Sequence, residues 1–340
     1  MILLFAGAGA SAAVNPEHYP TTLSFFERLP EQLRKRPLYD LVDQLLRRRT
    51  SQGPRDIEMF IGILQELREF SFAVTNADTA VGWFVHEERF ARITGAQGNF
   101  GQFRNIVSNA SREIEQVLSS VNSLVYDLYG IEPEPTVLSQ TWTPLLEMLK
   151  ATSKSLEIFT TNYDVVIERA VVETRIPIAT GRVGAVHQYL DLALWEQRRP
   201  QRVDDRQEGL LTKLHGSVNW FRRQDEDRIY IGPPLFAGRH ERHAIIYPGA
   251  KGPPTTRPFD LFHRHLADSA AIAALAVFVG YAFRDDPINT VLRERLPQQC
   301  KVVVINPSAE LPLELFRPRP VQHIAKPFGT DALRELSSAV

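Results

Sequence analysis

Cysteine is almost absent from this 340-residue sequence, and neither sign of charge predominates. The single cysteine, Cys300, excludes an internal disulfide and a zinc site built from several cysteines. We interpret it as a buried small residue, because it directly precedes the apolar run Lys301–Ile305. With 39 basic and 40 acidic side chains the formal net charge is -1, so no overall field favours direct binding to nucleic acid or to an anionic membrane.

The opening residues do not resemble a leader or a membrane span. The apolar stretch at 1–6 has no basic residue before it and reaches a glycine too early to cross a bilayer. Hydrophobic residues make up 44% and charged residues 23%, which are the proportions of a globular protein and argue against disorder. We therefore expect a soluble, cytoplasmic protein.

Short apolar runs predict the fold class. The first run ends at a glycine, and five more follow far downstream, at 156–160, 210–214, 244–247, 275–280 and 301–305. Strands that alternate with helices imply a parallel sheet covered on both faces. We predict an α/β fold with a Rossmann-like parallel sheet, in which ligands bind at the carboxyl ends of the strands.

Residues 38–150 show a different pattern, because their apolar side chains recur at helical spacing. We predict a large helical insertion after the first strand. The expected domains are a discontinuous Rossmann-like domain at 1–36 and 151–340, and a helical insertion domain at 37–150. The segments 197–206 and 249–258 are polar or rich in Gly and Pro, which predicts loops.

The residues after the first strand, Gly-Ala-Gly-Ala-Ser-Ala at 7–12, fit the phosphate-binding pattern G-x-G-x-x-G/A. The first glycine permits a tight turn, and the second lets backbone approach a diphosphate. An ordinary glycine-rich turn explains the same residues. An NAD-dependent dehydrogenase would also need an acidic residue about 20 positions on, at the end of a second strand. Glu27 and Glu31 stand near that distance, but in a stretch without a strand pattern.

Polar side chains follow four of the later runs. Thr161, Asn162 and Asp164 follow the first of these, where Asn or Asp can bind an amide or a ribose but can equally begin a helix. His215 follows the next and can act as a general base, although a lone histidine is commonly structural. No other histidine shows the spacing of a metal site.

The two remaining motifs have similar alternatives. Gly280 opens the segment Gly-Tyr-Ala-Phe-Arg-Asp-Asp-Pro at 280–287, which fits either a nucleotide-binding turn or a simple strand–turn–helix. Asn306 precedes a proline and fits a turn. No single motif is specific, but their order along the chain is informative.

That order resembles the motif set of the sirtuin superfamily, and the resemblance spans residues 5 to 306. The sirtuin-like domains of bacterial anti-phage defence systems are most similar in two motifs, Thr-Thr-Asn-Tyr-Asp and Lys-Leu-His-Gly-Ser-Val-Asn-Trp. Those domains deplete NAD+ and do not deacylate proteins.

The resemblance implies a role for each motif residue. The glycine loop of the family binds the NAD+ diphosphate, which carries over to Gly7, Ala8, Gly9 and Ser11. Its Asn and Asp contact the nicotinamide ribose and carboxamide, and its histidine acts on a ribose hydroxyl or on water. These roles carry over to Asn162, Asp164 and His215. The adenosine end carries over to Gly280, Tyr281 and Asn306.

Three departures from the deacylases bear on activity. Residues 217–247 contain none of the four zinc-binding cysteines that deacylases have after the His-Gly motif, so we expect no zinc. Thr161 stands where deacylases usually have Gln before the Asn and is counted with the cofactor-binding residues. Tyr19-Pro20 replaces the usual continuation of the phosphate loop, which allows a looser nicotinamide pocket.

The resemblance therefore implies an NAD+ glycohydrolase that releases nicotinamide and ADP-ribose. Such bonds break through an oxocarbenium-like transition state. The alternatives are a non-catalytic NAD+ or ADP-ribose sensor, and a zinc-free deacylase or ADP-ribosyltransferase. The family further implies a homo-oligomer, controlled by assembly or by a regulatory partner such as a nucleic-acid-translocating ATPase.

Overall fold

The computed structural model describes residues 1–50, 56–86, 100–153, 155–185, 188–197, 209–223, 228–232, 241–247 and 254–340. By its contacts the chain divides into two compact units. The sheet unit contains Met1–Thr21, Tyr126–Ile246 and Ala250–Val340, and the helical unit contains Thr22–Val125 and Tyr247–Gly249. The domain boundaries at 37 and 150 stay a prediction. Most of the two expected loops, at 197–206 and 249–258, lies outside the described residues.

The sheet unit contains a seven-stranded sheet whose described pairings are all parallel. Its strands are β1 Ile2–Ala6, β2 Leu156–Thr160, β3 Ile178–Ala179, β6 Gly209–Lys213, β10 Leu275–Val279, β11 Lys301–Ile305 and β12 Val321–Ile324. Their order across the sheet is β12-β11-β10-β1-β2-β6-β3. This confirms the predicted Rossmann-like parallel sheet. The central strands are continuous apolar runs because helices cover both of their faces.

The chain reverses its direction of travel across the sheet at β1. From β1 it moves to β2 on one side, and it later returns to β10 on the other side. The carboxyl ends of β1 and β10 are therefore neighbours at a topological switch point, where open α/β sheets bind their ligands. Gly7 follows β1 and Gly280 follows β10, so the two glycine motifs meet there.

A second, five-stranded antiparallel sheet was not predicted. It contains β4 Arg182–Val183, β5 Gln188–Leu190, β7 Gly216–Arg223, β8 Ile229–Ile231 and β9 Glu241–Ile245, in the order β4-β5-β8-β7-β9. From the sequence we assigned the apolar run at 244–247 to the parallel sheet. This prediction is wrong, because the run starts within β9, which pairs antiparallel with β7. His215 lies between β6 and β7, at the joint of the two sheets.

Helices of the sheet unit bury their apolar faces on the parallel sheet. Phe262 and Leu266 share one core with Phe5 and Phe278, which lie on the same face of neighbouring strands. The helices are Ala8–Ala12, Pro135–Leu138, Trp142–Thr152, Val166–Thr174, Ala193–Gln197, Phe259–Ala270, Asp286–Arg295 and Thr330–Ser337, with a 3₁₀ turn at Leu313–Phe316.

The helical unit has its own aromatic core. The ring of Phe60 packs 5.5 Å from that of Phe26 and 5.2 Å from that of Tyr39. Its helices are Thr22–Glu27, Glu31–Arg34, Pro37–Arg49, Ile57–Thr75, Ala80–His86 and all but the last turn of Phe100–Tyr129. No helix in the described part of the chain combines the length and apolar character needed to span a bilayer.

Gly280 allows the β1 and β10 loops to touch. Its φ of +59° is in the left-handed region, and a Cβ at this position would lie 2.1 Å from the backbone nitrogen of Ala10. Its carbonyl accepts a hydrogen bond from the Gly9 N–H at 3.0 Å, and its own N–H donates to Ile305 O at 2.9 Å. A residue with a side chain cannot keep this contact.

We predict that Gly280→Ala lowers the free energy of unfolding by about 1–3 kcal/mol from backbone strain alone, with a further loss from the clash. Urea unfolding of the purified variant measures this. Gly62→Ala is the control, because no atom lies within 4 Å of its added Cβ and a helical Gly→Ala change stabilises by about 0.5–1 kcal/mol. Equal stability of the two variants would contradict the prediction.

Candidate functional site

The glycine junction, formed by Gly7, Gly9 and Gly280, joins the two loops at the switch point. The N–H groups of Gly7 and Gly9 donate to Val279 O and Gly280 O, each at 3.0 Å. A Cβ on Gly9 would lie 3.0 Å from the Gly280 Cα. These glycines are therefore required by the packing of two backbones, and their amides are already used inside the protein.

Asn162 connects the end of β2 to the glycine junction. Its Nδ2 donates to Gly7 O at 3.0 Å and to Ser11 Oγ at 2.8 Å. The residue is only 5% exposed, and its Oδ1 has no hydrogen-bond partner in the part of the chain that the structure describes. One end of the amide is thus held by the protein, and the other remains available to a ligand or water.

Asp164 shares a hydrogen-bond partner, the Ser11 side chain, with Asn162. Its Oδ1 accepts from the Val166 N–H at 3.0 Å, and its carboxylate also hydrogen-bonds the Ser11 side chain. Burial raises the pKa of Asp164, an effect opposed by the positive charge of Lys213 and by these two hydrogen bonds. The Lys213 ammonium in turn contacts the Asp164 carbonyl and the Glu168 carboxylate. The helix Val166–Thr174 has Val165 as its N-cap, so the alternative interpretation of Asp164 as the helix cap was wrong. The Asp164 side chain forms a turn with the Val166 N–H and holds Ser11.

His215 is held from one side by an acidic residue. Its Nε2 lies 2.9 Å from Oδ2 of Asp285, and both side chains are buried. Its Nδ1 has no hydrogen-bond partner among the residues described. The main chain keeps the segments after β2 and β6 side by side, through Leu214 N–H to Thr160 O at 2.8 Å and Val218 N–H to Tyr163 O at 2.9 Å.

His263 lies near His215 and Asp285 in the candidate site, and sequence reasoning missed it. It lies on the helix Phe259–Ala270, and burial together with the nearby charge of His215 lowers its pKa to about 4. Neither ring nitrogen has a partner in the described structure. No motif marked it, because it stands inside an amphipathic helix rather than after a strand. Asp285 was likewise interpreted only as part of a turn, although it is the acidic residue that follows the Gly280 motif.

Two residues predicted for the adenosine end are engaged within the protein. The Tyr281 ring packs 4.5 Å from Phe5 and 4.7 Å from Phe283, inside the core. Asn306 donates from Nδ2 to Tyr281 O at 3.0 Å, and its Oδ1 accepts from the Ser308 N–H at 2.9 Å. They follow β10 and β11, which lie on the same side of β1, so both residues lie at the expected edge of the sheet.

Thr161 and Ala8 flank the glycine junction. The Thr161 N–H donates to Ala6 O at 3.3 Å, which continues the pairing of β2 with β1 by one residue. Ala8 begins the five-residue helix Ala8–Ala12, which also carries the buried Ser11. Both residues are partly exposed.

The described residues include no cluster of three His, Cys, Asp or Glu side chains able to hold a metal ion.

The arrangement as a whole offers acceptors at one edge of the sheet. Buried polar atoms in folded proteins nearly always have a partner. Asn162 Oδ1 and His215 Nδ1 have none among the described residues, although the opposite end of each side chain is firmly held. Asn162 Oδ1 is an acceptor, and His215 Nδ1 is one when Nε2 carries the ring proton. The two atoms near the topological switch point are then suited to bind hydroxyl groups and to remove a proton.

Part of the chain is similar in sequence to a known protein family. Residues 156–306 match the sequence model of the SIR2-like domain. No curated protein matches the chain. The chain is therefore similar to a SIR2-like domain over the part that begins at β2 and ends at Asn306.

Solved sirtuin structures resemble the whole chain at low identity. One is a SIR2 in complex with the inhibitor EX-527, 2′-O-acetyl-ADP-ribose and a deacetylated p53 peptide. It is 12% identical to this chain with a TM-score of 0.43, and the match covers 100% of this chain and 93% of the SIR2 chain. A SIR2 homologue in complex with NAD is 14% identical, with coverage of 99% and 90% and a TM-score of 0.44. Sir2Tm bound to a propionylated peptide is 12% identical, with coverage of 100% and 92% and a TM-score of 0.40.

We predict that Ser11→Ala lowers the free energy of unfolding by about 1–3 kcal/mol, because it removes partners from the buried Asn162 and Asp164. Chemical denaturation provides the measurement. Ser120→Ala is the matched control, since Ser120 is exposed on a helix and, in the described structure, its hydroxyl donates to a carbonyl of the same helix. A Ser11→Ala variant as stable as the control would show that the buried network contributes nothing.

A second prediction follows from the low pKa of His263. Its folded pKa, about 4, lies below the ordinary value of 6.5, so its stabilising contribution is complete above about pH 6.5 and decreases as the pH falls toward 4. The wild type should lose up to about 1.4 kcal/mol per pH unit more than His263→Phe across this window. Urea unfolding at several pH values tests this, and parallel curves for the two proteins would refute it.

Proposed function

We propose that this protein binds NAD+ and hydrolyses its nicotinamide–ribose bond to give nicotinamide and ADP-ribose. One observation carries the proposal: Asn162 and His215 are buried beside a dinucleotide switch point, and each keeps one acceptor without a partner in the described structure. The match of residues 156–306 to the SIR2-like domain supports it.

NAD+ fits the chemistry of this edge. The two β-loops approach so closely at the glycine junction that a dinucleotide can lie across both of them, as in other doubly wound sheets. In this proposal the diphosphate lies over Gly7, Ala8 and Gly9. The adenosine end lies toward Gly280, Tyr281 and Asn306, whose side chains or backbone shape the neighbouring loop. Thr161 lies beside the nicotinamide end.

The reaction needs orientation more than strong acid catalysis. Nicotinamide leaves as a neutral group from an oxocarbenium-like transition state, and water then adds to the sugar carbon. Asn162 Oδ1 accepts a hydrogen bond from a ribose hydroxyl or from that water. His215 Nδ1 accepts the proton that the hydroxyl or the water gives up. Asp164 contributes through Ser11, which fixes the amide of Asn162.

The resemblance of the motifs extends the proposal to the cell. On that basis alone the protein acts in the cytoplasm as an NAD-depleting effector of bacterial anti-phage defence. It works as a homo-oligomer, and a regulatory partner such as a nucleic-acid-translocating ATPase controls it. The chain uses no zinc in this scheme, because its single cysteine cannot supply the deacylase site.

We expect the purified protein to convert NAD+ to nicotinamide and ADP-ribose, measured by chromatography of the products. His215→Ala should reduce the rate about 10²–10⁴-fold through loss of the general base. Asn162→Ala should reduce it comparably, because the ribose or the water loses its orienting acceptor.

Asn109→Ala is the matched control, because Asn109 is exposed on the helix Phe100–Tyr129. Its rate should equal that of the wild type. Full activity in His215→Ala would remove the proposed mechanism. NAD+ binding without nicotinamide release would favour a non-catalytic sensor, and release only with an acyl-lysine peptide would favour a deacylase.

A further inference from the structure

Asp285 is the acidic residue in direct contact with the proposed base. Its Oδ2 lies 2.9 Å from His215 Nε2, although the two residues are 70 positions apart in the chain. Both side chains are almost fully buried. A buried pair at this distance has a defined orientation, because neither group can exchange its partner for water.

Both oxygens of the Asp285 carboxylate are committed. Oδ1 accepts from the Ile288 N–H at 3.0 Å, which begins the helix Asp286–Arg295. Burial by itself would raise the pKa of Asp285, but the hydrogen bond and charge of His215 and the Ile288 N–H lower it overall. The carboxylate is therefore ionised near neutral pH and can only accept hydrogen bonds.

An acceptor at Oδ2 determines which nitrogen of His215 carries the proton. Nε2 must donate to the carboxylate, so in neutral imidazole the lone pair is on Nδ1. Nδ1 is the ring nitrogen that has no partner among the described residues. His263 lies near this pair, and burial together with the charge of His215 lowers its pKa to about 4, so it is neutral under the same conditions.

The loop that carries Asp285 is itself held rigidly. Phe283 adopts a φ of +55°, uncommon for a residue with a side chain. Its ring packs 5.3 Å from Phe278 and 5.4 Å from Phe316, and its carbonyl accepts from Asn289 Nδ2 at 2.8 Å. Strained backbone that is fixed by several contacts is typical of segments that position a functional group.

We infer that Asp285 is a positioning residue, which holds His215 in the Nε2–H tautomer so that Nδ1 serves as the base. This inference rests on the proposed hydrolase function and deepens it. The same loop also begins at Gly280, which is part of the glycine junction and accepts the Gly9 N–H. One short segment thus links the proposed diphosphate site to the orientation of the base.

The competing explanation is that Asp285 only caps a helix. Asp285→Asn separates the two roles. Asn and Asp are equally good helix caps, but the Asn side-chain amide can donate a hydrogen bond in addition to accepting one. The amide can then pair with either tautomer of His215. Asp286→Asn is the matched control, since Asp286 is the exposed neighbour and its replacement removes the same charge from the same helix start.

Steady-state kinetics with NAD+ give the first test. We expect Asp285→Asn to lower kcat by about 10²–10⁴-fold with KM nearly unchanged, because a mis-set tautomer impairs the proton transfer and not binding. Asp286→Asn should behave as wild type. In a His215→Ala background Asp285→Asn should have no further effect, since Asp285 acts through the histidine. An active wild type with unaltered kcat in Asp285→Asn, or additive losses in the double variant, would overturn the inference.

The ring nitrogens report the pairing independently of activity. In protein labelled with ¹⁵N-histidine, with the His215 signals identified by their loss in His215→Ala, the wild type should show a protonated Nε2 and an unprotonated Nδ1. Asp285→Asn should populate the opposite tautomer, and Asp286→Asn should not. A wild-type His215 protonated on Nδ1 would overturn the inference. A wild type that releases no nicotinamide would instead overturn the proposed function, while these spectra still decide the pairing.

Discussion

The site depends on the close contact of two backbones at the glycine junction. Gly7 and Gly9 donate to carbonyls at the end of β10 and its following loop, and Gly280 leaves no room there for a side chain. Because β1 is the central strand where the chain changes direction, every group that follows β2, β6 or β10 is positioned relative to this contact. A larger residue at 280 would separate the loops and displace the groups that they carry.

Each proposed functional side chain has a held end and an available end. Asn162 commits Nδ2 to Gly7 and Ser11, and His215 commits Nε2 to Asp285. Committing one end removes the rotational freedom of the group before any ligand arrives, which lowers the entropic cost of ordering it in the transition state. Leaving a buried acceptor without a protein partner costs stability, and such a cost is commonly tolerated where a substrate supplies the partner.

Much of the fold was predictable because of its burial. The central strands are covered on both faces, so they are unbroken apolar runs that stand out from the rest of the chain. The antiparallel sheet escaped prediction because strands such as β7 mix polar and apolar residues. Only one of its strands coincided with an apolar run, and that run was given the wrong partner.

The sequence by itself determined the parallel sheet and the order of the motifs along the chain, because apolar periodicity and turn residues are local properties of the chain. Only the tertiary structure decided which atom of each residue is held and which is available. In the folded chain the Tyr281 ring packs in the core, and Asp164 hydrogen-bonds Ser11. Asp285 contacts His215, and His263 lies close enough to interact with it electrostatically. These partners lie far apart along the chain, as with Asn162 and Gly7 at a separation of 155 residues, so no local pattern can encode their pairing.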